Sequence, residues 1–472
     1  MKKASILLLL LVSAILVADT IDLNNLFDYE NQPVPAYITK DNTDNNEITD
    51  EGATLGRVLF YDKHLSSNNT IACASCHKQE FAFGDTAVAS VGVNGTTGRH
   101  SMRLINARFS DEAKFFWDER ADSLEMQTTM PIQDHAEMGY SGTQGDPDFD
   151  DLIAELEALP YYEDLFIAAF GDAVITENRI QRALSQFVRS IQSFDAKYDV
   201  GRAQAPNDGA PFPNFTAQEN QGKNLFLAPP QFNPQGQRIG GGAGCAGCHR
   251  PPEFDIDPNS LNNGFLEAIG GGQDFTNTRS PSLRDVTKAN GVVNTPLMHH
   301  GGVSDLAAVI AHYNNIVNQP NSNIDPRLTP GGVGQQLNLT PQESDALIAF
   351  LVTLAGTDVY TNEKWSDPFD ENGNITVVGG ATTSISEAEK IGMNIYPNPT
   401  SDFLHFSSTG VAAITGVSVF DSSGKLVLEQ SYINGGQSFV RIQVSDLPSG
   451  VYLYQVQVNA NEWQSGRFMV LQ

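Results

Sequence analysis

The sequence of 472 residues predicts a mainly α chain, in which two cysteine-centred helical domains precede a small all-β domain of β-sandwich type. Three observations predict it. Two Cys-x-x-Cys-His pentapeptides, CASCH at 73–77 and CAGCH at 245–249, each stand in a region whose apolar residues recur at helical spacing. A Pro-, Gly- and Asn-rich break, GRAQAPNDGAPFPNFT, separates the two regions. Beyond residue 390 the apolar period shortens to that of strands. With 40% hydrophobic residues, a chain this long can bury more than one core.

The elements follow in chain order. MKKASILLLLLVSAILVADT has a basic start at Lys2 and Lys3 and an apolar run from Ile6 to Ala18 that ends in small residues. That run is too short to span a bilayer comfortably, so residues 1–18 read as a cleaved signal peptide, with an uncleaved anchor as the alternative. No cysteine follows it to carry a lipid. The first helical domain is assigned to 19–205. In ENRIQRALSQFVRSIQSF, Ile180, Leu184, Phe187 and Ile191 mark one buried face and read as core rather than as ligands.

The second helical domain, 206–360, closes with TPQESDALIAFLVTL. There Thr340 as N-cap, Pro341 in the first turn and Glu343 three residues past the cap make a capping box, and Leu347, Phe350, Leu351 and Leu354 supply the buried face. After Tyr360 the Asp, Asn, Gly, Thr and Ser content predicts an exposed linker over 361–390. In 391–472, VSVF, KLVLEQ and VYLYQVQV alternate as strands do, with SSG as a turn, and His405 among them reads as structural.

The formal charge of −28, from 28 basic and 56 acidic residues, disfavours nucleic acid or an anionic membrane as partner. An exported chain would ordinarily pair its cysteines as disulfides. Here all four, Cys73, Cys76, Cys245 and Cys248, lie in Cys-x-x-Cys pairs, and each pair is followed at once by histidine, His77 and His249. Histidine supplies only 9 of 472 residues. Two such coincidences have odds of roughly one in a few thousand, and the spacing is that of c-type haem attachment.

The chemistry explains the spacing: two thiols add to the two vinyl groups of the porphyrin, and the adjacent imidazole reaches the iron. A four-sulfur zinc site is the structural alternative, but 168 residues separate Cys76 from Cys245, and zinc does not require a histidine after each pair. A redox dithiol fails on the same point. Two covalently bound c-type haems are therefore expected.

The stretches LGRVLFYDKHLSSNNTIACASCH and FFWDERADSLEMQTTMPIQDHAEMG, followed by TRSPSLRDV and TPLMHHGG, resemble the bacterial di-haem cytochrome c peroxidase and MauG family over about residues 50–360. The resemblance implies two cytochrome c-like haem domains. Its peroxidatic haem falls on Cys73, Cys76 and His77, with Glu137 as distal acid–base group, Gln127 beside it and Trp117 between the haems. Its electron-entry haem falls on Cys245, Cys248 and His249.

The far ligand of that second haem, a methionine in one branch and a tyrosine in MauG-like members, lies fourteen residues after the histidine matched by His299, which lands on Tyr313. Leu306, Val309, Ile310 and Tyr313 share one helix face, so a core tyrosine is the competing reading, and Met298, His300 and His312 are rival ligands. Two departures matter. Val93 stands where many members carry a histidine that closes the peroxidatic iron, which implies an iron open without reductive activation; His100 is the nearby substitute. His100 also replaces an asparagine of the family's interdomain calcium site, which weakens the inference of calcium and leaves backbone oxygens to hold it.

IYPNPTSDFLHF, VFDSSGKLV and LPSGVYLYQV look like a C-terminal sorting domain of the type IX secretion system, which implies export to the cell surface or medium, the periplasm being the alternative. The function expected is that of a di-haem peroxidase that reduces hydrogen peroxide to water with electrons from a small cytochrome c or cupredoxin. A MauG-like oxidase of a protein or organic substrate, or a non-catalytic surface electron carrier, are the alternatives. Family peroxidases often form homodimers, so the resemblance implies a homodimer as a further partner.

Overall fold

The computed structural model describes residues 23–376 apart from 44, 112–113 and 318–320, residue 379, and residues 393–471 apart from 397, 399, 409–413, 422–424, 433–438 and 459–461. The expected signal peptide and much of the expected linker lie outside the described residues. Among the described residues no helix is long and apolar enough to cross a membrane. The chain divides into two units, Met1–Gly380 and Ala381–Gln472. The fold class is the expected one, mainly α with an all-β C-terminal unit.

The first unit uses one architectural device twice. In its first lobe, α1 (Asp50–Tyr61) leads to a short helical turn α2 (Cys73–Cys76), then to α3 (Leu124–Thr129), α4 (Phe149–Glu157), α5 (Pro160–Phe170) and α6 (Glu177–Ser190). Thr49 caps α1 by accepting from the Gly52 N–H, and Thr176 caps α6 by accepting from the Arg179 N–H. Each such cap is worth about 1 kcal/mol. Helices α1 and α6 cross at Gly56, where a Cβ would stand 1.9 Å from the Ala183 carbonyl oxygen. Only glycine allows that approach. Behind it Phe60 packs on Phe83 and Phe187, with ring centroids 6.0 and 5.1 Å apart.

The second lobe repeats this. It begins at α7 (Lys197–Ala203), ahead of the boundary expected after residue 205, because Tyr198 packs in the second core. It continues with α8 (Ala217–Leu227), the hairpin β1 (Pro230–Phe232) and β2 (Arg238–Gly241), the two-residue strands β3 (His249–Arg250) and β4 (Asp255–Ile256), α9 (Leu306–Asn314) and α10 (Pro341–Val352). Helices α8 and α10 cross at Gly222, where a Cβ would lie 1.8 Å from the Ala346 carbonyl oxygen. Phe226 packs on Phe254 and Phe350 at 5.8 and 5.2 Å. The capping box is present, with the Glu343 N–H donating to Thr340 Oγ1 and the Thr340 N–H to Glu343 Oε2. Leu347, Phe350, Leu351 and Leu354 are buried as their spacing predicts.

Arg284, from the second lobe and fully buried, makes a two-pronged ion pair with Asp199 at 3.0 and 3.0 Å, and Tyr37 of the N-terminal arm donates to the same carboxylate.

One expectation needs correction. The segment from Asn362 to Thr376, whose composition reads as exposed linker, packs on the first lobe. Trp365 is 2% exposed, and Tyr29 and Tyr61 donate to the carbonyls of Lys364 and Trp365. Its polar average conceals Trp365, buried in the first-lobe core, and Phe369, packed against that core.

The second unit pairs two antiparallel sheets, ordered β11–β10–β7–β8 and β5–β6–β9. The strands are β5 (Met393–Tyr396), β6 (Phe403–Ser408), β7 (Ile414–Phe420), β8 (Leu426–Ser431), β9 (Phe439–Gln443), β10 (Gly450–Val458) and β11 (Glu462–Val470). Alternate residues such as Leu404, Phe406, Val440 and Ile442 fill the core between them. His405 is stacked between Tyr396 and Phe439, as a structural residue would be.

Candidate functional site

In the first lobe the turn CASC places Cys73 and Cys76 three residues apart, on one face of α2, directly before His77. Ser75 Oγ accepts from the Ala72 N–H at 3.0 Å and tightens the turn. His77 Nδ1 lies 3.0 Å from the Phe83 carbonyl oxygen. A carbonyl can only accept, so Nδ1 carries the proton and Nε2 keeps its lone pair. The backbone of Phe83 takes a left-handed conformation, φ 56°, which costs about 1 kcal/mol and aims that carbonyl. Desolvation lowers the imidazole pKa, which holds the ring neutral. Desolvation also pushes the Cys73 thiol up to about 12 and the Cys76 thiol up to about 11. Neutral, paired, apolar thiols suit addition to a vinyl group and do not suit a dithiol nucleophile, which needs a lowered pKa.

Glu137 faces this pair, its charge acting on both Cys73 and Cys76. Desolvation, and then the Asp134 carboxylate, push its pKa up to about 7, while Arg120 opposes the rise. Its backbone is fixed from both sides. The Glu137 N–H donates to Asp134 Oδ1 at 3.1 Å, and the Glu137 carbonyl accepts from the Val93 N–H at 2.9 Å. Val93 is thus tied to the Glu137 strand of chain, and Gly92 lies so close to it that a Cβ would stand 2.1 Å from the Ala136 carbonyl oxygen. Gln127 stands half-buried on α3, and no hydrogen bond joins it to Glu137 among the described residues.

Trp117 is 9% exposed and bridges the lobes. Its Nε1–H donates to the His100 carbonyl at 2.7 Å, and its ring meets His299 edge-on at 6.3 Å. The His100 N–H donates in turn to the His299 carbonyl at 2.8 Å. The His100 ring spends its Nδ1–H on the Ala87 carbonyl at 2.9 Å. It lines, with Trp117, the cavity of the second cysteine pair.

That cavity has a volume of about 730 Å³ and is walled by Cys245, Cys248, His249, Met298, Ile310 and Tyr313 among others, a size ordinary for a cofactor site. The Cys245 thiol is pushed up to about 12 by desolvation, and His249 falls to about 4 for the same reason, with the Phe254 backbone acting the other way. Phe254, like Phe83, is left-handed, φ 57°. Tyr313, on α9, lines the same cavity as both cysteines. Desolvation and then the Cys248 sulfur raise its phenol, whereas the Asn263 side chain lowers it.

Each site therefore offers two neutral thiols and a neutral imidazole at one wall, a donor set that fits a covalently attached haem. The two pairs belong to different cores, and among the described residues no three His, Cys, Asp or Glu side chains are placed to hold a metal ion, so a shared zinc site is not formed. The glycine crossings at Gly56 and Gly222 and the Phe60 and Phe226 clusters, which stand behind the two sites, were missed in the pentapeptide reading. A self-comparison of GRVLF (56–60) with GKNLF (222–226) is the signal that finds them.

Residues 50–205 match the family model described as di-haem cytochrome c peroxidase, and residues 394–470 match the secretion system C-terminal sorting domain. The methylamine utilization protein MauG of Methylophilus methylotrophus is 29% identical over 74% of this chain and 95% of its own length. That of Methylorubrum extorquens is 30% identical over 57% of this chain and 70% of its own. A solved MauG-like protein associated with microbial copper homeostasis superposes with a TM-score of 0.54 at 27% identity, covering 72% of this chain and 99% of that one. Two neutral Cys-x-x-Cys-His sites on repeated helix crossings, joined through Trp117, and these likenesses lead to one conclusion: the chain belongs to the di-haem cytochrome c peroxidase and MauG family, which implies two c-type haems, and it ends in a secretion sorting domain.

Proposed function

We propose that the protein is an exported peroxidase that reduces hydrogen peroxide to two waters, consuming two electrons and two protons, with the electrons arriving from a small cytochrome c or cupredoxin at the second lobe. Bound haem would supply the iron at which the oxygen–oxygen bond breaks and the iron through which electrons enter. Cys73, Cys76 and His77 would hold the first haem; Cys245, Cys248, His249 and Tyr313 would hold the second.

Glu137 does the proton work. Its carboxylate takes the proton from one peroxide oxygen and returns it to the departing one, which a group with a pKa of about 7 does in both directions near neutrality. Gln127 orients the substrate from α3. Trp117, anchored through Nε1, gives electrons an aromatic path between the lobes. The Nδ1–H of His77, held on the Phe83 carbonyl, leaves the Nε2 lone pair free and would offer it to the iron of a bound haem. The sorting domain would hand the protein to the type IX secretion machinery.

The observation that carries this reading is the half-buried Glu137, raised in pKa and electrically coupled to the first cysteine pair. Glu137→Gln tests it: peroxide turnover should fall about 10²–10⁴-fold with the haems intact, the usual worth of a general acid–base. Full turnover in the variant would remove Glu137 from the role. A second reading, a MauG-like oxidase of a protein or organic substrate, draws support from Tyr313, which lines the second cavity with Cys248, and from Val93, which cannot ligate iron. Steady turnover with a reduced small cytochrome separates the two.

A further inference from the structure

We infer that Asn263 reserves the far side of the second cofactor pocket for Tyr313 by occupying the rival donors Met298 and His312. The inference rests on the proposed haem at Cys245, Cys248 and His249 with Tyr313 as its far ligand, and goes beyond it by naming the residue that selects the ligand.

Asn263 sits in a turn that is pinned on both sides. The preceding Asn262, 1% exposed, donates through Nδ2 to the Thr276 carbonyl at 2.7 Å, and its Oδ1 accepts from the Gly264 N–H at 2.8 Å and from Asn321 at 3.0 Å. Gly264 follows with φ 79°, a conformation open to glycine at little cost. Asn263 Oδ1 accepts from the Phe265 N–H at 3.0 Å, which settles which end of the amide is which. The Nδ2 end therefore points into the cavity, where it donates to Met298 Sδ at 3.7 Å. Meanwhile the backbone carbonyl of Asn263 accepts from His312 Nε2 at 3.0 Å, so that nitrogen carries a proton and has no lone pair for iron. Phe265 completes the set, its ring lying 4.5 Å from His300 and 5.0 Å from His312.

One turn thus engages Met298 and His312 and packs on His300. Tyr313 is left as the remaining donor on the lining of the cavity that holds Cys245, Cys248 and Asn263. A tyrosine oxygen ligand would favour ferric iron over ferrous relative to a thioether. Asn263 is a positioning residue in this scheme: it acts on the iron through Tyr313 and Met298.

Resonance Raman spectra and the midpoint potential of the second haem, on the ferric full-length holoprotein, test this in the wild type and in Tyr313→Phe, Asn263→Leu, Asn263→Asp and Asn263→Leu/Met298→Leu. The wild type should show phenolate modes that Tyr313→Phe abolishes. Asn263→Leu should lose most of that intensity, gain a thioether-to-iron band and shift the potential upward, and adding Met298→Leu should erase the new band. Asn263→Asp retains an acceptor for Phe265 while removing the donor, and should lose the phenolate modes even if the leucine variant does not fold. A wild type without phenolate modes would overturn the reading of Tyr313 itself. Phenolate modes and potential unchanged in both the Leu and Asp variants would overturn the role of Asn263 alone.

Discussion

Glu137 is a carboxyl whose surroundings raise its pKa to about 7, and the sign of its effect on turnover follows. Below that pH it is protonated and cannot accept a proton from peroxide; above it the carboxylate is available. Peroxide turnover should rise with pH through a midpoint near 7 and then level, and in Glu137→Gln that limb of the profile should vanish; a rate–pH profile of both proteins checks it. Stability moves the opposite way. A folded-state pKa above the ordinary carboxyl value means that ionising Glu137 penalises the folded state as pH rises from the ordinary carboxyl range through about 7. At this scale Cys73, Cys76, His77, Cys245, Cys248 and His249 were legible because haem attachment imposes a contiguous spacing. The Phe83 carbonyl on His77 and the Asn263 amide on Met298 were not, because each depends on a backbone conformation or a chain reversal that no local pattern encodes.

Helix crossings carry the next scale. The crossings of α1 with α6 and of α8 with α10 depend on glycines with carbonyl oxygens less than a methyl radius away from any added Cβ, 1.9 Å at Gly56 and 1.8 Å at Gly222. Backbone cannot yield as a side-chain tip can, so the cost exceeds the about 1–3 kcal/mol typical of an overpacked core. Gly222→Val should lower the melting temperature and the haem content of the second lobe, while Phe60, Phe187 and the first site remain assembled; calorimetry and haem-to-protein ratio measure both. The capping box at Thr340 and the buried stripe of α6 were legible because caps and helical periodicity are local. The segment around Trp365 was misread as exposed for the converse reason: its few aromatic residues act through long-range packing on α1, which composition averages away.

Over the whole molecule, the division at Gly380 separates the unit that carries both cysteine pairs from the all-β unit that matches the secretion sorting domain. The first unit holds both cysteine pairs, Glu137, Trp117 and Tyr313, and the second is an all-β body with its own core. A chain ending after Gly380 should therefore keep both haems, its melting temperature and its peroxide turnover, while disappearing from the culture medium of the secreting host; haem content, calorimetry and blotting of the medium test this. We propose that the first site, with Val93 in place of the histidine that the family resemblance would put there, is open to peroxide in the oxidised protein. Stopped-flow absorption of the ferric holoprotein mixed with one equivalent of hydrogen peroxide tests it most directly. An open site gives an immediate Soret change without prior reduction; a Soret change that waits until one haem has been reduced would show the site to be closed.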